Sequence, residues 1–183
     1  RLGESLLLKM AAPFLLDRPD AGGLGLATDQ VGFVYGTVGV TGLCIGGLCG
    51  GWAIARWGLR RCIWPMAVLL NAPNLLYVYM AAARPELPTV YWMVTAEQIG
   101  YGFGFSAFTY FLMDISREPY ATSHFAISTG CMALGMLVPG LISGYLQSAI
   151  GYQDFFIAVV CAGLPGIALI PLLPIAGDDR PRR

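Results

Sequence analysis

The chain has 183 residues, 56% of them hydrophobic and only 12% charged, with a mean hydropathy of +0.64, more apolar side chain than a water-soluble core of this size needs. Its formal net charge is zero, with one lysine, one histidine and no basic block, so the electrostatic footprint of a nucleic-acid binder is missing. Apolar runs longer than the roughly 18 residues that cross a hydrocarbon core recur along the whole length, which excludes a single anchor or a signal peptide and makes the lipid bilayer the solvent.

Charges, prolines and glycines divide the chain into six apolar segments, 1–16, 31–55, 62–83, 89–113, 125–149 and 155–176, and predict an all-α membrane protein with six transmembrane helices. The first segment is short and begins at Arg1 without a methionine, as expected of a helix cut at its N-terminal end. The connections are brief: a polar stretch from Asp17 to Gln30, then Arg56 to Arg61, Arg84 to Pro88, Asp114 to His124 and Gly151 to Asp154. None has room for a soluble domain. If Arg1 is cytoplasmic, alternation puts Arg56, Arg60, Arg61, Arg117, Arg180, Arg182 and Arg183 on the same side, against Arg18 and Arg84 on the other. The retention of positive charge in cytoplasmic loops then predicts a multi-pass inner-membrane protein with both ends cytoplasmic. Trp52, Trp57 and Trp64 cluster at the predicted inner interface, and Tyr91 and Trp92 at an outer one.

The second segment carries Gly32, Gly36, Gly42, Gly46 and Gly50, with Gly47 and Gly51 beside them. Such a ladder of small residues lets helices approach closely in lipid and predicts a helix interface. Gly140 and Gly144 repeat the device in the fifth segment, and Gly100, Gly102 and Gly104 in the fourth. Cys44, Cys49, Cys62, Cys131 and Cys161 have neither C-x-x-C spacing nor neighbouring ligands, and read as small buried packers. No metal site, cofactor or nucleotide-binding loop is expected.

Ionisable groups inside hydrocarbon are costly, and so mark candidate sites. At about 1.5 Å per residue, Glu4 lies roughly 18 Å and Lys9 roughly 10 Å from the outer end of the first helix, and Glu97 roughly 12 Å into the fourth. One reading has Glu4 and Glu97 facing an aqueous midplane cavity and taking a proton. The other has a structural Lys9 to Glu97 ion pair, with Glu4 near the inner interface. Gln98 is a candidate hydrogen-bond donor to a substrate. Asn71 and Asn74 flank Pro73, where a carbonyl freed by the proline binds a ligand or is satisfied by a side-chain amide. His124 follows the good cap residues Thr122 and Ser123 at the cytoplasmic boundary, a position for capping or gating.

Ser106 in a glycine-rich segment superficially resembles the nucleophile of rhomboid intramembrane proteases. The residue after it is Ala107, however, and the sixth segment supplies no general base, so no catalytic residue is assigned.

The loop Gly51, Trp52, Ala53, Ile54, Ala55, Arg56, Trp57, Gly58, Leu59, Arg60, Arg61 resembles the loop signature of major facilitator transporters, with Ala55 where an aspartate is usual. Arg1, Leu2, Gly3, Glu4, followed by Pro13, Phe14 and Leu15, is similar to the seventh helix of AmpG-like muropeptide permeases, with Glu4 in place of an aspartate. Glu97 to Phe108, then Ala121, Thr122, Phe125 and Ala126, is similar to the tenth helix and the entry to the eleventh. Ser123 and His124 stand where that family has a single glutamine. The resemblance implies helices seven to twelve of a twelve-helix carrier, the C-terminal half-bundle of two inverted three-helix repeats, whose site lies against an N-terminal half. It also implies proton-driven symport of a small solute such as a muropeptide or amino sugar in bacteria. A carrier of another cargo (a sugar, peptide or organic ion) and a non-transport membrane scaffold both remain open on the residues alone.

Overall fold

A computed structural model describes residues 2–116 and 119–172. Arg1, Arg117, Arg180, Arg182 and Arg183, used in the orientation argument, and the end of the sixth predicted segment lie outside the described residues. Helix α1 (Leu2–Leu16) is followed by a 3-10 turn at Pro19–Ala21, α2 (Thr28–Trp57), α3 (Leu59–Asn71), α4 (Asn74–Ala83), α5 (Leu87–Ile115) and α6 (Ala121–Ala168), with a last 3-10 turn at Ile170–Leu172. Among the described residues three stretches, Thr28–Trp57, Leu59–Ala83 and Ala121–Leu172, are long and apolar enough to cross a membrane. Helix α5 is also long enough at 29 residues, but Glu97, Gln98 and its glycines make it less apolar.

The helix boundaries differ from those expected for identifiable reasons. Gly58 has φ 79° and ψ 154°, a backbone state open essentially to glycine, so one residue turns α2 into α3 where a six-residue connection was expected. Gly51 and Arg56 therefore belong to α2, and Arg60 and Arg61 to α3. Pro73 has no N–H to continue the ladder, and the third predicted segment is broken there into α3 and α4. Helix α5 begins at Leu87 because Pro88 is tolerated in a first turn. The last two predicted segments run on as α6, interrupted only at Gly151 with φ 79° and ψ 168°. Thr122, Ser123 and His124 are helical rather than capping residues, since the N-cap is Tyr120.

Helices α2 and α3 both pack on α5, whereas α1 and α4 pack on α6. Close approach at the α2 to α5 crossing depends on missing side chains: a Cβ on Gly46 would lie 2.2 Å from the Ile99 carbonyl oxygen, and one on Gly102 2.2 Å from that of Leu43. The glycine ladder is thus half used, because Gly42, Gly46 and Gly50 meet α5 while Gly32, Gly36 and Gly51 face open space. Of the cysteines only Cys62 is buried. The other four lie on exposed faces, a correction to the buried-packer expectation that follows from the medium, since lipid is as apolar as a core.

Two cores result. One joins Phe14, Val34, Tyr77, Met80, Val94 and Phe156 with their neighbours, and the other joins Ala53, Ile54, Cys62, Met66, Ala107 and Ile170. Helix α4 belongs to the first and α3 to the second. At the Gly151 end the chain after α1 folds back, Leu24 and Leu26 donating to the Phe14 and Leu15 carbonyls at 2.9 and 2.8 Å, which satisfies the terminal acceptors of α1. There the Tyr152 hydroxyl donates to Asp17 Oδ2 at 2.6 Å, and an Arg84 guanidinium nitrogen to the Pro19 carbonyl at 3.1 Å. Tyr152→Phe removes a charge-assisted bond from a buried ring and is expected to cost about 1.5–3 kcal/mol, read as a lower melting temperature in detergent.

Candidate functional site

Between the two cores α5 presents a short polar face. Glu97 is 5% exposed and Gln98 9%. The Gln98 side-chain nitrogen donates to Glu97 Oε2 at 2.9 Å, fixing the carboxylate from its own helix. The Tyr77 hydroxyl on α4 lies close enough to Glu97 to interact with its carboxyl and hydrogen-bonds the Tyr35 hydroxyl on α2. Glu4 on α1, 5% exposed, lies close enough for its charge to act on Glu97. Four helices thus converge on two carboxyls.

Gln98 is held over α2 because Gly39 has no side chain: a Cβ there would lie 3.3 Å from Gln98 Cγ. Gly39 ends a π-helical stretch, Phe33–Gly39, that also carries Tyr35. Wider turns of this kind occur frequently at functional sites.

Glu4 and Asn71 contribute the polar part of a cavity of about 270 Å³ that extends toward the second core, with Gly104, Phe108, Phe111 and Ile170 among its walls. Asn71 donates to the Ala67 carbonyl at 2.9 Å within α3. Asn74 is 2% exposed, and its amide nitrogen has no hydrogen-bond partner among the described residues.

The structure brings Glu4, Glu97 and Gln98 together and sets Lys9 apart. The Lys9 stem lies against Gly140 of α6, beside Ser143, Tyr145 and Ser148, so the Lys9 to Glu97 ion pair of the alternative reading is not formed. Helical periodicity explains this, since five residues separate Glu4 from Lys9 and turn them to different faces. Arg56, Arg60 and Arg61 are exposed at the α2 to α3 turn, where Trp52 and Trp57 meet edge to face at 5.2 Å. Ser106 donates to the Gly47 and Gly102 carbonyls at 2.9 and 3.1 Å and acts as an interhelical tie. Sequence reasoning missed Tyr35 and Tyr77. The available signal was a phenol within an apolar segment, which needs a partner once buried.

A model of the Major Facilitator Superfamily matches residues 3–183. The chain is similar to the anhydromuropeptide permease of Escherichia coli K12, with 27% identity over 170 residues, 93% of this chain and 34% of that protein. It is 25% identical over 174 residues to an uncharacterized protein of Haemophilus influenzae, covering 91% of this chain and 40% of the other. It is 23% identical to the putative transporter AmpG 2 of Rickettsia prowazekii, over 95% of this chain and 41% of the relative. The chain spans about a third to two-fifths of the length of these relatives.

Proposed function

The chain belongs to the Major Facilitator Superfamily, and from that premise we propose that it is the C-terminal six-helix half of a twelve-helix, proton-coupled carrier. Its cargo is a small solute such as a muropeptide or amino sugar, and its place is the bacterial inner membrane with both ends cytoplasmic. Membership in a transporter family, together with the engagement of Ser106 in helix packing, sets the protease reading aside.

The observation that carries the proposal is the buried carboxyl pair on α1 and α5. Those helices occupy matching positions: α2 and α3 flank α5, and the parts of α6 before and after Gly151 flank α1 at Gly140 and Gly3. Exchanging the first three predicted spans with the last three maps one set of contacts on the other, which supports two inverted units. It also gives Glu4 and Glu97 equivalent roles on the two central helices. A carboxyl alternately charged and neutral in such a place couples proton binding to the side toward which the cavity opens. Lys9, on the α1 face toward α6, is the candidate contact for an anionic part of the cargo, with Gln98 holding Glu97 in position. Arg56, Arg60 and Arg61, with Gly51 and Gly58, form the cytoplasmic turn. The N-terminal half completes the cargo site.

The test is uptake of labelled anhydromuropeptide by energised vesicles carrying the full-length transporter. Uptake driven by a proton gradient in the parent and lost in Glu97→Gln supports both cargo and site. No uptake by the parent discards the cargo and leaves the fold standing.

A further inference from the structure

Tyr35 and Tyr77 are absorbed neither by the sequence motifs nor by the carboxyl pair. Tyr77 is fully buried; its hydroxyl hydrogen-bonds the Tyr35 hydroxyl and lies near enough to interact with the Glu97 carboxyl. Tyr35 is only partly buried. The row of groups therefore has one end toward the protein surface and the other at an interior carboxyl.

At about 1.5 Å per residue, Tyr35 and Tyr77 lie roughly 10 Å from the Gly151 end of the bundle and Glu97 roughly 15 Å. The two phenols thus stand side by side within a layer otherwise closed by Phe14, Val34, Met80, Val90, Val94 and Phe156, each fully buried. Paired hydroxyls suit proton transfer there, because each donates and accepts at once. The π-helical stretch of α2 touches the Glu97 group at two points, through Tyr35 and through Gly39 beneath Gln98.

We infer that Tyr35 and Tyr77 are a proton-relaying pair linking Glu97 to the partly exposed face of α2 at Tyr35. The inference rests on the reading of Glu97 as a proton site. A hydronium ion gives a proton to the Tyr35 oxygen and is left as water, as Tyr35 passes its own proton to Tyr77 and Tyr77 passes its own to the Glu97 carboxylate. Every O–H bond broken is replaced by one formed, both phenols end neutral, and Glu97 ends protonated. Glu4 is the second carboxyl near Glu97; Lys9 lies away at Gly140.

The experiment is a pH jump on the full-length transporter in lipid nanodiscs, followed by time-resolved infrared absorption of protonated carboxyl groups, without any cargo. The band removed by Glu97→Gln reports Glu97. Tyr35→Phe and Tyr77→Phe are expected to slow its appearance roughly a hundredfold while leaving its final amplitude unchanged, and the parental rate is expected to fall in heavy water. An unchanged rate in Tyr35→Phe, or a parental rate indifferent to heavy water, overturns the relay and leaves Glu97 as the proton site. A changed amplitude at the parental rate assigns the phenols to packing and overturns the relay as well. If no band in the parent depends on Glu97, the proton-site reading falls and takes the relay with it.

Discussion

Gly102→Leu is expected to leave little folded protein. A Cβ at this position would stand 2.2 Å from the Leu43 carbonyl oxygen and 2.9 Å from the Gly47 nitrogen, and backbone cannot swing aside as a side chain does. Overpacking ordinarily costs about 1–3 kcal/mol, and obstruction by backbone puts this substitution at the upper end or beyond. Separating α2 from α5 also forfeits the van der Waals contact that holds helices together in lipid and the tie from Ser106 to Gly47. Fluorescence-detected size exclusion of the full-length transporter is expected to show loss of the monodisperse peak. The matched control, Gly36→Ala, has nothing within 4 Å of its new methyl and is expected to be neutral or stabilising by about 0.5–1 kcal/mol. Equal stability of Gly102→Leu and the parent would mean that α2 and α5 are not in backbone contact.

The double variant Glu4→Gln with Glu97→Gln is expected to be at least as stable as the parent and to accumulate no cargo. Both carboxyls are 5% exposed, and an amide of the same size sheds the cost of holding charge away from water. The amide introduced at position 97 retains an oxygen to accept the bond from Gln98. The expected sign is therefore a melting temperature unchanged or higher, with proton-driven uptake abolished, the trade-off of a site kept for activity rather than stability. A scaffold gains the same stability and has no uptake to lose. A double variant that melts well below the parent would instead assign the pair to holding the bundle together.

The long apolar segments were legible because hydropathy is set by composition alone. Their ends were less so: a one-residue turn at Gly58 depends on a backbone angle that neighbouring arginines do not announce. The glycine ladder was legible as a device but not as a surface, because identical spacing at Gly32 and at Gly46 acquires meaning only from what lies opposite. Glu4, Glu97 and Gln98 stood out as polar residues in hydrocarbon. Their partners did not, since Tyr35 and Tyr77 are counted with the hydrophobic residues in the composition. Lys9 was drawn toward Glu97 by similar depth, while its azimuth around α1 turned it to α6.

The break at Ala72 and Pro73 lies at the seam between the two cores. The helix hydrogen bond that bending would break is already missing at Pro73, so α4 can tilt on α3 at little enthalpic cost. Tyr77 sits one turn beyond this joint, and the carboxyl it interacts with is on a helix that runs through without a break. Rocking α4 thus makes or breaks contact with Glu97 without sliding α5, in the manner of a switch lever on a fixed post.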